Sequence, residues 1–366
     1  MKKIATLVGL CVVLSAVIFA LIQINKPDYS FRADPYQPGS LKMKMALVKN
    51  NYDNSASQRE GFWTMRDGIR IHYRIVGTGD PVLVVHGGPG EPYKKAWEGL
   101  NRIQQGYSFI YYDQRGCGQS SRPIDRLSKC EWKECQPELS KKLGIEAALM
   151  DMEEIRQIIG TEKITVIGHS YGAVIAALYA TEFPDSVNKL VMVSPAPSIR
   201  IPIDSDDDVY TIISKDLPVN ENAEFEKYRE NLWEPEHVLK MDEEELSVQN
   251  RRFFYFYDEY HRNVGLPNSV KLIDDLVDKS TIGGWLPYGY AWSFPDTFDY
   301  RGNLKAIKSP TLILWGDKDI TRESWANDYQ RYISNSKVVM ISNVGHFMFE
   351  ENPTAFADAI NDFLRD

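Results

Sequence analysis

The sequence around Ser170 has the residue types and spacing of a catalytic nucleophile. Segment 168–172 reads Gly-His-Ser-Tyr-Gly, and it stands between a β-branched run at 164–167 and a small-residue run at 173–180. This order predicts a strand, a sharp turn and a helix, in which the glycines allow close approach and the turn exposes the serine hydroxyl. The helix N-terminus would add positive potential where an oxyanion forms. We therefore predict that Ser170 is a nucleophile; the alternative is an ordinary glycine-flanked turn.

A serine hydroxyl needs a base, and elimination among the histidines favours His346. His346 follows the late predicted strand that ends at Ile341, in an apolar loop where a strand edge is expected. The other five histidines lie in glycine-rich turns, in an early strand or in a middle helical segment: His72, His86, His169, His237 and His261. We therefore predict that His346 is the base.

An acidic residue should orient the base, and the turn after the predicted strand 311–315 supplies two. Gly316-Asp317-Lys318-Asp319 contains both carboxylates. The spacing favours Asp319, because Asp317 is placed to make hydrogen bonds within the turn. We predict Asp319 as the third catalytic residue and keep Asp317 as the alternative.

The oxyanion that forms during acyl transfer needs two backbone N–H donors. One would come from Tyr171, which follows the nucleophile. The other would come from the glycine-rich segment 86–90, His-Gly-Gly-Pro-Gly, directly after an apolar strand at 81–85. We favour Gly88 over Gly87, with a plain turn as the alternative.

The elements that must position these residues alternate between strand and helix. Strands are predicted at 69–75, 81–85, 107–113, 164–167, 187–193, 311–315 and 337–341, and helices at about 94–105, 145–159, 173–180, 322–333 and 353–365. Such alternation predicts an α/β fold with a mostly parallel sheet and helices on both faces. We assign 61–196 and 301–366 to this core.

Residues 197–300 interrupt the alternation and read as an inserted helical cap. They contain 22 acidic and 10 basic residues, so their net charge is −12 while the whole chain carries −9. An insertion between strands falls at the edge where open α/β sheets bind ligands. Part of this acidity is expected to be ordinary solvated surface. The acidic balance also argues against a nucleic-acid partner.

The N-terminus predicts a membrane segment. Two lysines precede a nearly charge-free apolar run, 4–24, which is long enough to cross a bilayer as a helix. We interpret 1–24 as a signal anchor, with a cleaved signal peptide as the alternative, and 25–60 as a linker. The catalytic core would then lie outside the cytoplasm, periplasmic or extracellular, and membrane-anchored or secreted.

The cysteines fit an oxidising compartment. Cys130 and Cys135 are close enough in sequence for a short-loop disulfide, and Cys117 would stay free. A zinc site is disfavoured, because no companion cysteine or histidine lies nearby.

Three motifs together carry a family resemblance. His86-Gly87-Gly88-Pro89-Gly90, the segment Asp113-Gln114-Arg115-Gly116-Cys117-Gly118-Gln119-Ser120, and Gly168–Gly172 resemble the proline iminopeptidase group of α/β-hydrolases. The resemblance covers about residues 61–366 and is weakest in the cap. It implies an α/β-hydrolase core with a helical cap, and a serine mechanism without cofactor or metal. It also implies removal of an N-terminal residue, often proline, from short peptides.

The resemblance also implies where the substrate amine would bind. Family members use cap glutamates, and Trp233-Glu234 resembles the segment that carries one of them. The second position falls near Gln249, which cannot supply a full charge, and Glu259 is the candidate replacement. A surface carboxylate is the alternative for Glu234.

Three functions are therefore compared. The first is an aminopeptidase acting on small peptides; the second is an esterase, lactonase or amidase of the same fold without amine recognition. The third is a non-catalytic binding protein of the same fold. Dehalogenase and epoxide-hydrolase chemistry is disfavoured, because those relatives carry Asp where Ser170 stands.

Overall fold

The computed structural model describes residues 29–41, 60–127, 130–266 and 269–365. Its strands are β1 (Glu60–Thr64), β2 (Arg70–Val85), β3 (Gln105–Tyr112), β4 (Ile164–His169), β5 (Val187–Val193), β6 (Arg200–Ile201), β7 (Phe298–Asp299), β8 (Thr311–Gly316) and β9 (Ser336–Ile341). Its helices are α1 (Glu98–Asn101), α2 (Trp132–Leu143), α3 (Ile145–Ile159), α4 (Tyr171–Glu182), α5 (Val209–Asp216), α6 (Val219–Leu232), α7 (Pro235–Val238), α8 (Glu243–Asn263), α9 (Ser269–Leu276), α10 (Leu286–Ala291), α11 (Glu323–Tyr332), α12 (Met348–Glu351) and α13 (Pro353–Arg365). Short 3₁₀ turns lie at Lys279–Thr281 and Arg301–Ala306.

A seven-stranded, mostly parallel sheet forms the centre of the fold. β1 and β3 pair with β2 in antiparallel fashion, and β2, β4, β5, β8 and β9 follow one another in parallel. The register places Val85 beside Gly168 and Gly316 beside Ile341. The loops after these strands therefore meet at one edge of the sheet, as parallel strands require.

Alternate residues of the central strands feed two apolar cores, one on each face. Leu83 and Met192 belong to one core, and Val84 and Val191 belong to the other. α3, α4 and α11 cover the first face, whereas α1 and α13 contribute to the second. This arrangement confirms the predicted α/β fold with helices on both faces. It also explains the continuously apolar strand sequences, because both faces of each central strand are buried.

Two predicted elements differ from the structure. The strands expected at 69–75 and 81–85 are one continuous strand, β2, which pairs with β3 along most of its length. The helix expected at 94–105 is reduced to Glu98–Asn101. The N–H of Lys94 is bound to the carbonyl of Leu276 and the N–H of Trp97 to the hydroxyl of Tyr111. These tertiary hydrogen bonds hold 94–97 against other segments, and the backbone of Trp97 is extended, so the helix begins only at Glu98.

Segment 197–300 contains α5 to α10 and a two-stranded pairing of β6 with β7. Glu243, at the start of α8, ties two parts of this segment together and joins them to Arg122 of the core. Its carboxylate accepts hydrogen bonds from the N–H groups of Gly284 and Trp285, at 2.8 Å each, and pairs with Arg122. The segment therefore has a defined attachment beside the sheet edge.

Residues 29–41 pack onto the core, which corrects the predicted linker over this range. Tyr36 and Leu41 are buried. The buried carboxylate of Glu182 accepts hydrogen bonds from the Tyr36 hydroxyl at 2.9 Å, from the Gly39 N–H at 2.5 Å and from the Leu41 N–H at 3.1 Å. Residues 42–59 of the predicted linker lie outside the described residues.

The predicted membrane anchor is also corrected. None of the helices in the described ranges, from 29 to 365 with their gaps, is long and apolar enough to cross a membrane. Residues 1–24, to which the anchor was assigned, lie outside the described residues. The predicted membrane partner and extracytoplasmic location depended on that anchor and are corrected with it.

The cysteines of the described residues adopt two states. Cys130 and Cys135, at the start of α2, are joined in a disulfide. Cys117 is buried and unbridged.

Candidate active site

Ser170 occupies a strained turn between β4 and α4. Its φ is 56° and its ψ is −123°, a conformation that costs energy for a residue with a side chain. The Ser170 N–H donates to the carbonyl of Val193 at 2.9 Å, which anchors the turn to the neighbouring strand. The serine is thus presented at the carboxyl edge of the sheet.

The flanking glycines are required by close backbone contacts. A Cβ atom on Gly172 would stand 2.4 Å from the carbonyl oxygen of Val85, and one on Gly168 would stand 2.3 Å from that of Gly172. Real Cβ contacts do not reach such distances, so a side chain would force strand and helix apart. The motif glycines therefore permit the packing that creates the turn.

Asp319 and His346 form a buried, hydrogen-bonded pair on the loops after β8 and β9. Asp319 Oδ1 lies 2.8 Å from His346 Nδ1 and also accepts the Thr321 N–H at 2.9 Å. This arrangement places the proton on Nδ1 and leaves Nε2 to act as an acceptor. Asp317 instead binds the Asn343 N–H, at 2.7 Å, and so supports the turn.

Asp319 and His346 each favour the charged form of the other residue. Burial opposes ionisation of both groups and is the largest single effect on each pKa. The pKa of Asp319 is nevertheless lowered, because the charge and the hydrogen bond of His346, with smaller contributions from Ser194 and the Thr321 N–H, together outweigh burial. The pKa of His346 is raised because Asp319, with Glu91 and Glu351, outweighs the lowering effect of burial. An imidazolium formed during proton transfer is therefore stabilised.

His169 connects the pair to the nucleophile turn. Its Nε2–H donates to the His346 carbonyl at 2.8 Å, and its Nδ1 accepts from the Tyr93 hydroxyl. Burial lowers the pKa of His169 well below its ordinary value, so the ring is neutral. Ser170 and His346 line the same cavity but share no hydrogen bond in the described chain. Catalytic hydrogen bonds are often long before substrate binds.

The loop after β2 lies against Ser170. A Cβ on Gly87 would stand 2.9 Å from the Ser170 Cβ and 3.1 Å from the His169 carbonyl oxygen. Gly88 has a φ of 109°, which suits only glycine, and both Gly88 and Tyr171 line the cavity with Ser170. Two candidate oxyanion donors thus flank one cavity.

The second motif of the sequence supports this loop. Gln114 donates its backbone N–H to His86 Nε2 at 3.1 Å, and its side-chain amide donates to the His86 carbonyl at 2.8 Å. Arg115 forms a bidentate ion pair with buried Asp151, at 2.6 and 2.5 Å, and binds Asp67 at 2.8 Å. Gln114 therefore holds the loop after β2, Arg115 fixes the second motif to the core, and neither side chain lines the cavity.

The cavity has a volume of about 840 Å³ and lies between the sheet edge and segment 197–300. The five aromatic residues at 253–257 lie on different sides of helix α8. Phe253, Phe254 and Tyr257 line the cavity, whereas Phe256 packs against Phe225 in the core and Tyr255 is exposed. The size fits a small organic ligand or short peptide.

The three predicted cap residues do not line this cavity. Glu234 is exposed, and Glu259 pairs with Arg262 at 2.6 Å. Gln249 is buried, and its amide binds His237 at 2.9 Å and the Tyr288 hydroxyl at 3.0 Å. The structure does not bring these residues to the catalytic residues.

Sequence reasoning missed Glu91, which lines the cavity beside Ser170 and His346. It directly follows the glycine-rich motif, so its position one residue after Gly90 was the available signal. The described residues contain no group of three or more His, Cys, Asp or Glu side chains that could hold a metal.

The chain matches the family model of the alpha/beta hydrolase fold over residues 80–353. The chain is 26% identical to a proline iminopeptidase of Lactobacillus helveticus over 314 residues, which cover 81% of this chain and 95% of that protein. This similarity confirms the resemblance seen in the motifs.

Solved structures show the same fold. The proline iminopeptidase of Mycobacterium smegmatis matches with a TM-score of 0.53 and 16% identity, covering 84% of this chain and 97% of that one. A thermophilic esterase from Thermogutta terrifontis matches with a TM-score of 0.57 and 20% identity, covering 84% and 98%. The fold is thus shared by proteins that differ in their named activities.

Proposed function

The chain belongs to the alpha/beta hydrolase fold family, and from that premise we propose that it is a serine aminopeptidase of the proline iminopeptidase type. It would release an N-terminal proline, or another small residue, from short peptides. The observation that carries the proposal is the 2.8 Å hydrogen bond between Asp319 and His346, on loops that share an edge with the strained Ser170 turn.

The proposed reaction begins with Ser170. Its Oγ attacks the carbonyl carbon of the first peptide bond while His346 Nε2 accepts the hydroxyl proton. His346 then gives that proton to the leaving amine, and an acyl-enzyme on Ser170 remains. Water, deprotonated by His346, hydrolyses the ester and frees the residue. Asp319 holds the Nδ1–H throughout and stabilises the imidazolium.

The oxyanion would be held by the N–H groups of Gly88 and Tyr171. Supporting this assignment, both residues line the cavity with Ser170, and Gly87 approaches the nucleophile closely. A fixed pair of donors at this place stabilises charge that develops only in the transition state. The mechanism uses side chains, backbone and water, and it requires no cofactor or metal.

The substrate class is supported by the cavity and by the named relatives. Aromatic side chains of α8 offer apolar walls for a small ring, and the volume of about 840 Å³ accommodates a short peptide. Curated relatives over most of the chain are proline iminopeptidases. Both features favour a peptide with a small N-terminal residue.

A second candidate is an esterase, lactonase or amidase without amine recognition. It is favoured by one observation: Glu234, Gln249 and Glu259 do not line the cavity. Such an enzyme would use the same three catalytic residues. The two candidates differ only in what holds the acyl part of the substrate.

Turnover by the full-length chain separates the candidates. Proline and alanine arylamides should be hydrolysed, alongside short-chain nitrophenyl esters, and Ser170→Ala should abolish both activities. Ester turnover without arylamide turnover would reject the peptidase. Turnover that survives in Ser170→Ala would reject the serine mechanism.

A further inference from the structure

Three acidic side chains line the cavity, and two of them are already engaged. Asp208 caps helix α5 by accepting the Thr211 N–H at 3.0 Å, and it lies 3.5 Å from Arg229. Asp296 pairs with Arg32 at 3.0 Å. These two carboxylates are neutralised within the fold.

Glu91 is the third, and its carboxylate differs from the other two. Among the described residues it has no hydrogen-bond or ion-pair partner, and the charges that act on it are those of His346 and Lys279. Lys279 is itself bound to Asp274 at 2.7 Å and lies 3.6 Å from Asp258. Burial raises the pKa of Glu91 to about 7, against the lowering effects of His346 and Lys279. A partly buried carboxylate without a cation is costly, and a ligand can supply the cation.

The position of Glu91 is close to the reacting atoms. Its N–H donates to the Gly87 carbonyl at 3.3 Å, and its Cγ lies 2.9 Å from the ideal Cβ position of Gly88. Glu91 therefore stands beside the proposed oxyanion donors and within electrostatic reach of His346. In a peptide, the nitrogen of the N-terminal residue is two bonds from the carbonyl carbon that Ser170 attacks.

We propose that Glu91 is the specificity-determining residue that binds the free α-ammonium group of the substrate. It takes the role that the family resemblance implied for positions 234, 249 and 259, none of which lines the cavity. This inference rests on the proposed function in one respect, because it assumes a substrate with a free amino end. The carboxylate of Glu91 accepts N–H bonds from the ammonium group, while the scissile carbonyl oxygen faces Gly88 and Tyr171. A substrate without the amine would leave Glu91 unpaired.

The test compares two esters that differ only in the amino group, the nitrobenzyl esters of alanine and of propionic acid. The measured quantity is the amine selectivity, the ratio of kcat/KM for the alanine ester to that for the propionate ester. Glu91→Gln should lower this ratio by about 10- to 100-fold, because a charge-assisted hydrogen bond is lost. The loss should appear mainly in KM for the alanine ester, and Glu91→Asp should retain part of the selectivity.

Asp208→Asn is the matched control. It removes one negative charge from the same cavity, and asparagine caps a helix as well as aspartate does. Its amine selectivity should equal that of the unmodified protein. An equal fall in Asp208→Asn would assign the effect to the general potential of the cavity and overturn the proposal.

Other outcomes are equally decisive. Unchanged selectivity in Glu91→Gln, or no selectivity in the unmodified protein, would overturn the proposal. If Glu91→Gln does not fold, Glu91→Asp replaces it: a partial fall in the amine selectivity supports the proposal, and an unchanged selectivity overturns it. Failure of the peptidase function is recognised separately: arylamides would not be cleaved, while the ester ratio would still report whether Glu91 holds the amine.

Discussion

Gly87 lies so close to Ser170 that a Cβ atom at position 87 would stand 2.9 Å from the Ser170 Cβ. The nucleophile turn and the loop after β2 are therefore fitted to each other without space for one added carbon. The two motifs are separated by about eighty residues of sequence, and the parallel pairing of Val85 with Gly168 brings them together.

Gly87→Ala should reduce kcat strongly, by about 100-fold or more, because the loop must move away from Ser170 and carry the proposed Gly88 donor with it. Steady-state kinetics on the ester substrate would measure the loss. Gly302→Ala is the control, since a Cβ there meets nothing within 4 Å. Near-normal kcat in Gly87→Ala would show that this loop does not position an oxyanion donor.

Activity should fall as pH falls, because His346 acts as a base only when its imidazole is neutral. Its pKa is raised above its ordinary value of 6.5 through Asp319, Glu91 and Glu351, despite the opposing effect of burial. Protonation therefore begins at a higher pH than for an isolated histidine, and the acid limb of kcat/KM should lie above 6.5.

The propionate ester is the appropriate substrate for this profile, since it has no amine that titrates. Glu91→Gln should move the acid limb to lower pH, because it removes one of the charges that stabilise the imidazolium. A limb at or below pH 6.5 in the unmodified protein would contradict the assignment of His346 as the base.

The packing of residues 29–41 onto the core should depend on Glu182. Glu182→Gln replaces one acceptor oxygen by a donor that faces the Tyr36, Gly39 or Leu41 donor groups. The free energy of unfolding should fall by about 1–3 kcal/mol, and limited proteolysis within 29–41 should become faster. Glu162→Gln, at an exposed turn, should change neither. Unchanged protease resistance in Glu182→Gln would mean that other contacts fix the segment.

The buried ion pair of Arg115 and Asp151 should matter far more than an exposed one. Asp151→Asn leaves the buried guanidinium without its bidentate carboxylate, and the free energy of unfolding should fall by about 3–5 kcal/mol. Glu224→Gln breaks the exposed pair with Arg252 and should cost less than about 1 kcal/mol. Denaturant titration measures both, and equal effects would contradict this ranking.

The elements that carry Ser170, Asp319 and His346 were predictable because their signals are local. Strand, turn and helix follow one another around Ser170, and Asp319 and His346 each follow a strand whose limits agree with the structure to within about one residue. The alternation of strands and helices then requires that their loops share one edge. The pattern fixes which loops meet, although it cannot give the distances between side chains.

The residues that the sequence did not reveal depend on contacts between distant segments. Glu182 lies in a helix that reads as uniformly apolar, and its partners lie at 36–41. Glu243 belongs to an acidic run typical of solvent-exposed surface, yet it is buried against 284–285. Glu91 became a candidate only when the cavity showed that it lacks a partner. The family resemblance instead implied that residues of the cap bind the substrate amine. One of them, Gln249, is hydrogen-bonded to His237 and Tyr288.

Covalent labelling tests the central claim, that Ser170 is the nucleophile. The full-length chain would be treated with a fluorophosphonate that reacts with activated serine hydroxyls, and the modified residue would be located by peptide mass spectrometry. The account predicts one adduct, on Ser170, which is absent in Ser170→Ala and forms much more slowly in His346→Ala. An adduct at another residue, or equal labelling of Ser170→Ala, would contradict it.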